Sequence, residues 1–283
     1  MKKEIVGSMS EWSGVLKDVF RQIDDGSLGI GHFQTLLEHR NPFDDGGVLD
    51  QLVSKTGKLL SKRFGKKIAV GPLPEEFTEE NLAQWVRYNL KPIFLPDEEI
   101  SENRKIKDWI KPKKWLYDKM REGKIFSDSA KLVFGWYLVD FSEGVDYADG
   151  TQVFPKDPFT SIIERLRKDG KVGKYDKTPM GSRFAITNDE WHEVVCPEIA
   201  KELGFKPEQI RLERAIEFNA IGNLYDKNRG KFNTWEWFND TFEASDRLFG
   251  GNRVHGGLAS VDYYRSDFRN DYVAGRPLVS FVK

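Results

Sequence analysis

The side chains that could do chemistry are few, and their spacing breaks the motifs they suggest. His192-Glu193 begins the His-Glu-x-x-His helix of zinc proteases, in which two histidines one turn apart grip the metal. Cys196 occupies the position of the second histidine, so that chemistry is not expected. Asp140, Glu143, Asp146, Asp149 and Gly150 crowd a short acidic stretch, yet they lack the alternating ligand spacing of an EF-hand, and a polar turn is the simpler reading. Cys196 is the single cysteine; it precludes an internal disulfide framework and fits a reducing compartment. Two basic runs, Lys55 to Lys67 and Lys105 to Lys114, could face an anionic partner but read more simply as solvated helix faces.

What stands out instead is a contact surface. From Leu248 to Phe281 the chain strings Asn252, Arg253, His255, Asp262, Tyr263, Tyr264, Arg265, Ser266, Asp267, Arg269, Asn270, Asp271 and Tyr272 between a Gly-Gly entrance and a Gly-Arg-Pro exit. Tyr gives wide, rigid, amphipathic contact area, and Ser, Asp and Asn give adaptable hydrogen bonds. This is the composition of a surface that touches something. The other residues must position it.

Those positioning elements can be followed in order. Ser8 and Glu11 have capping-box spacing, and Trp12, Val15, Leu16, Val19, Phe20 and Ile23 recur at helical intervals up to Asp25-Gly26, predicting a surface helix with one buried face. Helices are also expected around Phe33 to Leu37, from Val48 to Phe64, and after a Thr78 cap to the break at Pro92, with Pro92 to Pro96 as an extended link. Leu132 to Asp140 is the first strong strand signal. Asp157-Pro158 should open a helix through Leu166, and Thr187 to Glu190 is a second capping box before Trp191 to Leu203. The texture changes near Gly123 to Ser129. The expected division is therefore a mainly helical domain over residues 1–127 and a mixed α+β domain over residues 128–283.

The later segments resemble a known family. Arg211-Leu212-Glu-Arg-Ala-Ile-Glu217-Phe218 is similar to the Arg-Leu-Pro-Thr-Glu-Ala-Glu-Trp helix of the formylglycine-generating-enzyme-like (sulfatase-modifying factor) branch of the C-type lectin fold. Asn233-Thr-Trp235-Glu236-Trp237 resembles its Gly-Asn-Val-Trp-Glu-Trp signature, and Arg247-Leu-Phe-Gly250-Gly251-Asn252 with Gly275-Arg276 resembles its Arg-Gly-Gly-Ser and Gly-Phe-Arg elements. The implied fold is an irregular α+β domain with two helices on small antiparallel sheets. The namesake activity is a cysteine oxidation that needs a pair of cysteines, and a related branch uses clustered histidines for non-haem iron. This chain has one cysteine and four scattered histidines, His32, His39, His192 and His255, so no catalytic residue, cofactor or metal is expected.

Within that fold, the tail is similar to the variable proteins of diversity-generating retroelements, in which adenine-directed mutagenesis rewrites the 3′ end of a gene. The resemblance implies a hypervariable ligand-binding region over about residues 248–283. Its displayed residues would be Arg253, Val254, His255, Ser260, Asp262, Tyr263, Tyr264, Arg265, Phe268, Asn270, Asp271 and Tyr272. Trp235, Glu236, Trp237, Gly250, Gly251 and Arg276 would be the frame, with Gly256, Gly257, Leu258, Pro277, Val279 and Phe281. One departure matters: Ala274-Gly275-Arg276 stands where the family has Gly-Phe-Arg. Either Phe281 and Val279 take over the missing ring's packing, or position 275 is itself mutable.

The function expected is non-catalytic binding of a macromolecular ligand, most simply a protein. The 44 basic and 45 acidic residues leave a net charge of -1, which does not suggest a nucleic-acid binder. No run of membrane-spanning length occurs, and Met1-Lys-Lys is not followed by an apolar secretory core, so a cytoplasmic or virion-associated protein is expected. Two alternatives remain open: an enzyme of the sulfatase-modifying-factor type with Asp262, His255 and Arg265 in one cleft, or a structural or adhesive virion component assembled through its N-terminal helices.

Overall fold

The computed structural model describes residues 9–24 and 47–282. The chain divides into two compact units, Met1–Leu52 and Val53–Lys283. In the first, helix α1 (Met9–Asp24) forms where its apolar periodicity predicts. Among its described side chains Leu16, Phe20 and Ile23 stand exposed and Val19 is half-buried, while Trp12 and Val15 of the expected face lie outside the described side chains. Ser8, with its capping box, and the helix expected around Phe33 to Leu37 lie outside the described residues.

The larger unit is a mixed α+β structure around two four-stranded sheets. Its helices are α2 (Val48–Phe64, which begins in the smaller unit), α3 (Glu79–Val86), α4 (Lys114–Arg121), α5 (Thr160–Lys168), α6 (Asn188–Glu190), α7 (Cys196–Leu203) and α8 (Ala215–Leu224). Thr78 caps α3 by accepting a bond from the Asn81 amide, and Thr187 and Glu190 complete the predicted capping box of α6. A π-helical turn, Trp191–Val195, carries α6 into α7. The helix expected at Asp157 starts at Thr160, because the Asp157 carboxylate first closes a turn by accepting from the Phe159 amide.

The first sheet joins β1 (Leu90–Leu95), β2 (Gly135–Asp140), β8 (Pro277–Ser280) and β3 (Ile210–Leu212), all antiparallel. The second runs β6 (Val261–Arg265), β5 (Asp246–Gly250), β4 (Trp235–Phe242) and β7 (Val273–Ala274), with β7 parallel to β4. The expected link from Pro92 to Pro96 is thus mostly strand β1. Pro92 is tolerated there because β1 is an edge, where a missing N–H breaks no ladder. The same pairing corrects the expected boundary at residue 127. β1 completes the sheet that holds β2, so residues 90–127 belong to the unit that holds the tail.

One core cluster lies between the first sheet and α8, with Ile93, Tyr137, Val139, Ile216, Ile221 and Leu278. A second lies under the other sheet, with Leu116 of α4, Ala215 and Phe218 of α8, and Phe238, Leu248 and Val261 of the strands. A buried ionic web lies beside the end of β2. Arg183 bonds both Asp140 and Asp157, while Arg229 reaches Glu213 at 2.5 Å and the Asp140 carbonyl at 2.7 Å. Burial alone would raise the Asp140 carboxyl, but Arg183 and Arg276 hold it below its ordinary range. Among the described residues no helix is long and apolar enough to cross a membrane.

Candidate functional site

The segments singled out by the resemblance meet in space and build the frame of the tail. Arg211 reaches over the start of α8 to hold Glu217 with two bonds of 2.7 Å, and Glu217 also accepts from the Arg214 amide. Glu236 of β4 takes the Nε of Arg276 on both oxygens at 2.9 Å, joining the Trp-Glu-Trp segment to the Gly-Arg exit. Trp237 is buried and donates its indole N–H to the Ile186 carbonyl at 3.0 Å. Gly251 takes φ +84° beside the Phe218 ring, a conformation that side chains disfavour and a closeness that would force the ring to shift. Phe281 packs edge-on to Phe77 at 5.0 Å.

Position 275 lies against a ring from another segment. The Trp191 indole lies directly on Gly275, and any Cβ there would overlap the ring. Trp191 comes from the π-turn of another segment and is fully buried. A side chain at position 275 would require the buried Trp191 indole to shift, while Phe281 packs on Phe77, Trp85 and Phe205.

The segments that the resemblance marks for display are fixed by local bonds. Asn252 caps the 3₁₀ turn Arg253–His255, its Oδ1 accepting from the Val254 and His255 amides. Asn219 of α8 donates to the Leu258 carbonyl at 2.8 Å and fixes the glycine-rich loop that follows. Arg253, Val254, His255, Asp262, Tyr263, Tyr264 and Arg265 are all exposed. Phe268, Asn270, Asp271 and Tyr272 are half-buried. Ser260 is a correction: it is 1% exposed, and its backbone carbonyl accepts from the Gly251 amide, so the chain holds it inside the fold.

Strand geometry divides the two tyrosines. Phe249 stands opposite Asp262 and Arg247 opposite Tyr264, so these share one face of the sheet with Trp235 and Trp237. Tyr263 points to the other face, where it stacks on Phe242 at 3.8 Å and parallel to Trp115 at 5.9 Å. Tyr264 instead packs on Phe268 at 3.9 Å, and Phe268 leads on to Tyr272 at 6.5 Å.

That aromatic tract ends at a cleft of about 460 Å³ lined by Tyr147, Asn233, Trp235, Phe249, Asn252, Val254, His255 and Tyr272. Half-buried Trp235 forms part of its wall, braced by Phe249 at 4.6 Å and His255 at 4.9 Å. Tyr147 comes from the acidic stretch considered above as a calcium loop. Its carboxylates diverge: Asp140 meets Arg183, Asp146 accepts from the Asn233 amide, and Asp149 pairs with Lys177. Among the described residues no three acidic, His or Cys side chains gather to hold a metal. Of Asp262, His255 and Arg265, only His255 lines the cleft.

Several working residues escaped the sequence reading. Arg269, one more polar residue of the tail by composition, is its anchor. It bonds Glu190 at 2.6 and 2.8 Å and the Ala185 carbonyl at 2.7 Å. Ala185 adopts φ 57°, and its amide donates to the Asn270 carbonyl at 3.1 Å, so a left-handed residue clamps the loop from both sides. Ser266 adds a bond to Asp189 at 2.9 Å. Burial would raise the Glu190 carboxyl, but bonds from Arg269 and from the Gly173 and Thr187 amides keep it below its ordinary range. The capping box pointed to Glu190, but nothing local pointed to its partner 79 residues away. No family model, no curated protein and no solved structure matches this chain.

Proposed function

We propose that this is a non-catalytic ligand-binding protein whose C-terminal face, on a C-type lectin-like frame of the formylglycine-generating-enzyme-like branch, is diversified by a retroelement. The observation that carries the reading is the sharp alternation of exposure along the tail. Residues 253–255 and 262–265 are exposed, while Asn252, Ser260, Val261 and the run from Val273 to Val279 are buried. Side chains that mutagenesis rewrites must neither build nor break the core, and surface substitutions of this kind usually change stability by about 0.5 kcal/mol or less. Binding energy would come from the aromatic and arginine residues of the face, with polar neighbours adapting to the ligand. The enzyme alternative places His255, Asp262 and Arg265 in one cleft, and of the three only His255 lines the aromatic cleft.

The test is the DNA around the gene. An imperfect repeat of the segment encoding residues 248–283 is expected beside a reverse transcriptase gene. Its mismatches should fall at template adenines, in the codons of Arg253 to His255 and Asp262 to Arg265. The codons of Gly251, Arg269 and Gly275 should match. Absence of the repeat or of the reverse transcriptase would sink the proposal.

A further inference from the structure

We infer that the cleft bounded by Tyr147, Trp235, Phe249 and Tyr272 takes the cationic side chain of an arginine or lysine presented by a partner protein. This deepens the reading of the tail face as a ligand surface, and rests on it, by naming the group that would anchor there.

The cleft has a fixed side and a rewritable side. Tyr147, Asn233, Trp235, Phe249 and Asn252 lie outside the display positions, whereas Val254, His255 and Tyr272 lie among them. The Trp235 ring is wedged between Phe249 and His255, so little of its freedom is left to lose on binding. A volume of about 460 Å³ is ample for a guanidinium or ammonium head with its stem.

The polar groups argue against a ligand that needs many hydrogen bonds, such as a sugar. Asn252 spends its Oδ1 on two backbone amides and its Nδ2 on the Asn233 carbonyl. Asn233 Oδ1 accepts from the Tyr147 amide, and the Tyr147 hydroxyl donates to Asp271 at 3.1 Å. What the lining offers is mainly ring surface. Aromatic faces attract cations through their quadrupole, most strongly for Trp and then Tyr.

Charge selects the cation over a neutral apolar guest. The residues that line the cleft include no Lys or Arg. Two carboxylates are bonded directly to them: Asp271 to Tyr147, and Asp146 to the Asn233 amide at 2.8 Å. Arg253 meets Asp146 at 3.6 Å with both side chains more than half exposed, a loose pair that an incoming cation can replace.

The experiment follows the Trp235 indole N–H in amide-proton correlation spectra of the full chain, assigned with Trp235→Phe. Choline and N-methylguanidinium are titrated at constant ionic strength against their neutral isosteres, 3,3-dimethylbutan-1-ol and N-methylurea. Saturable shifts are expected, with each cation bound at least about fivefold more tightly than its isostere. Asp271→Asn and Tyr272→Ser should each weaken the cations about threefold or more while the thermal melt stays at the parent value. Equal binding of cation and isostere, or no shift with either, overturns the inference. The two proposals fail separately. Cation-selective shifts without a genomic repeat leave the cation site standing on an undiversified protein, while a repeat without shifts leaves the display reading standing and removes this anchor.

Discussion

Arg265 and Arg269 sit four residues apart in the same polar tail, and the structure gives them opposite fates. Arg269 is 23% exposed and makes a two-pronged pair with Glu190 plus a bond to the Ala185 carbonyl. Arg265 is 71% exposed and has a single 3.3 Å contact with an equally open Asp267. Hydrogen bonds to charged groups contribute about 1.5–3 kcal/mol each and exposed pairs about 0–1 kcal/mol. Glu190 keeps its bonds from the Gly173 and Thr187 amides when Arg269 is removed, so it is not left wholly unpaired. Arg269→Ala should therefore cost about 3 kcal/mol, toward the low end of breaking a buried pair. In a unit of this size that lowers the melting temperature by about 6–12 °C, against about 1 °C for Arg265→Ala. Arg269→Lys should recover less than half of the loss, because an ammonium cannot span both oxygens of Glu190 and the Ala185 carbonyl together. Thermal melts by circular dichroism decide the matter. If the two alanine variants melt together, or the lysine restores the parent value, the assignment of Arg269 as anchor is wrong.

Other outcomes follow from the same geometry. Gly275→Ala should destabilise by about 1–3 kcal/mol through overlap with the Trp191 ring, and a double-mutant cycle with Trp191→Phe should show that the two changes are coupled. Ser260→Tyr should reduce the yield of folded protein, whereas Val254→Tyr, at a site 73% exposed, should leave the urea midpoint unchanged. Because the folded Glu190 carboxyl lies below its unfolded value, the stability it contributes is present above the ordinary glutamate range and is lost as pH falls through the folded value. Urea midpoints measured downward from about pH 5 should fall, and fall less steeply in Arg269→Ala, since that variant has already lost the bond. Parallel pH profiles for parent and variant would show that another carboxylate governs acid unfolding.

Local devices were legible because each is written within a few residues. Thr78 caps its helix through Asn81 three positions on, and Thr187 and Glu190 close a box over the same distance. The exposure of residues 253–255 and 262–265 was legible too, since few of those side chain types belong in a core. The resemblance picked out Arg211 with Glu217 on one segment, and Glu236 and Arg276 on two others. It could not say that the last two meet across 40 residues.

What remained hidden depended on partners distant in the chain. By its neighbours Pro92 reads as a helix stop and a link, because only the sheet order reveals that its missing N–H faces no strand. Ser260 and Asp262 are equally polar by composition, yet in the folded chain one is buried and the other exposed. Tyr147 joins the cleft through Asn233, 86 positions away, and Arg276 ends on the Ser142 carbonyl, 134 positions away. The amino-acid sequence by itself determined the caps, the main strand and the residue types available for display, since those follow from short-range sterics and hydrogen bonding. Only the tertiary structure decided which displayed residues are free, which anchor the loop, and where the aromatic rings enclose a cleft, since burial is set by what the rest of the chain brings alongside.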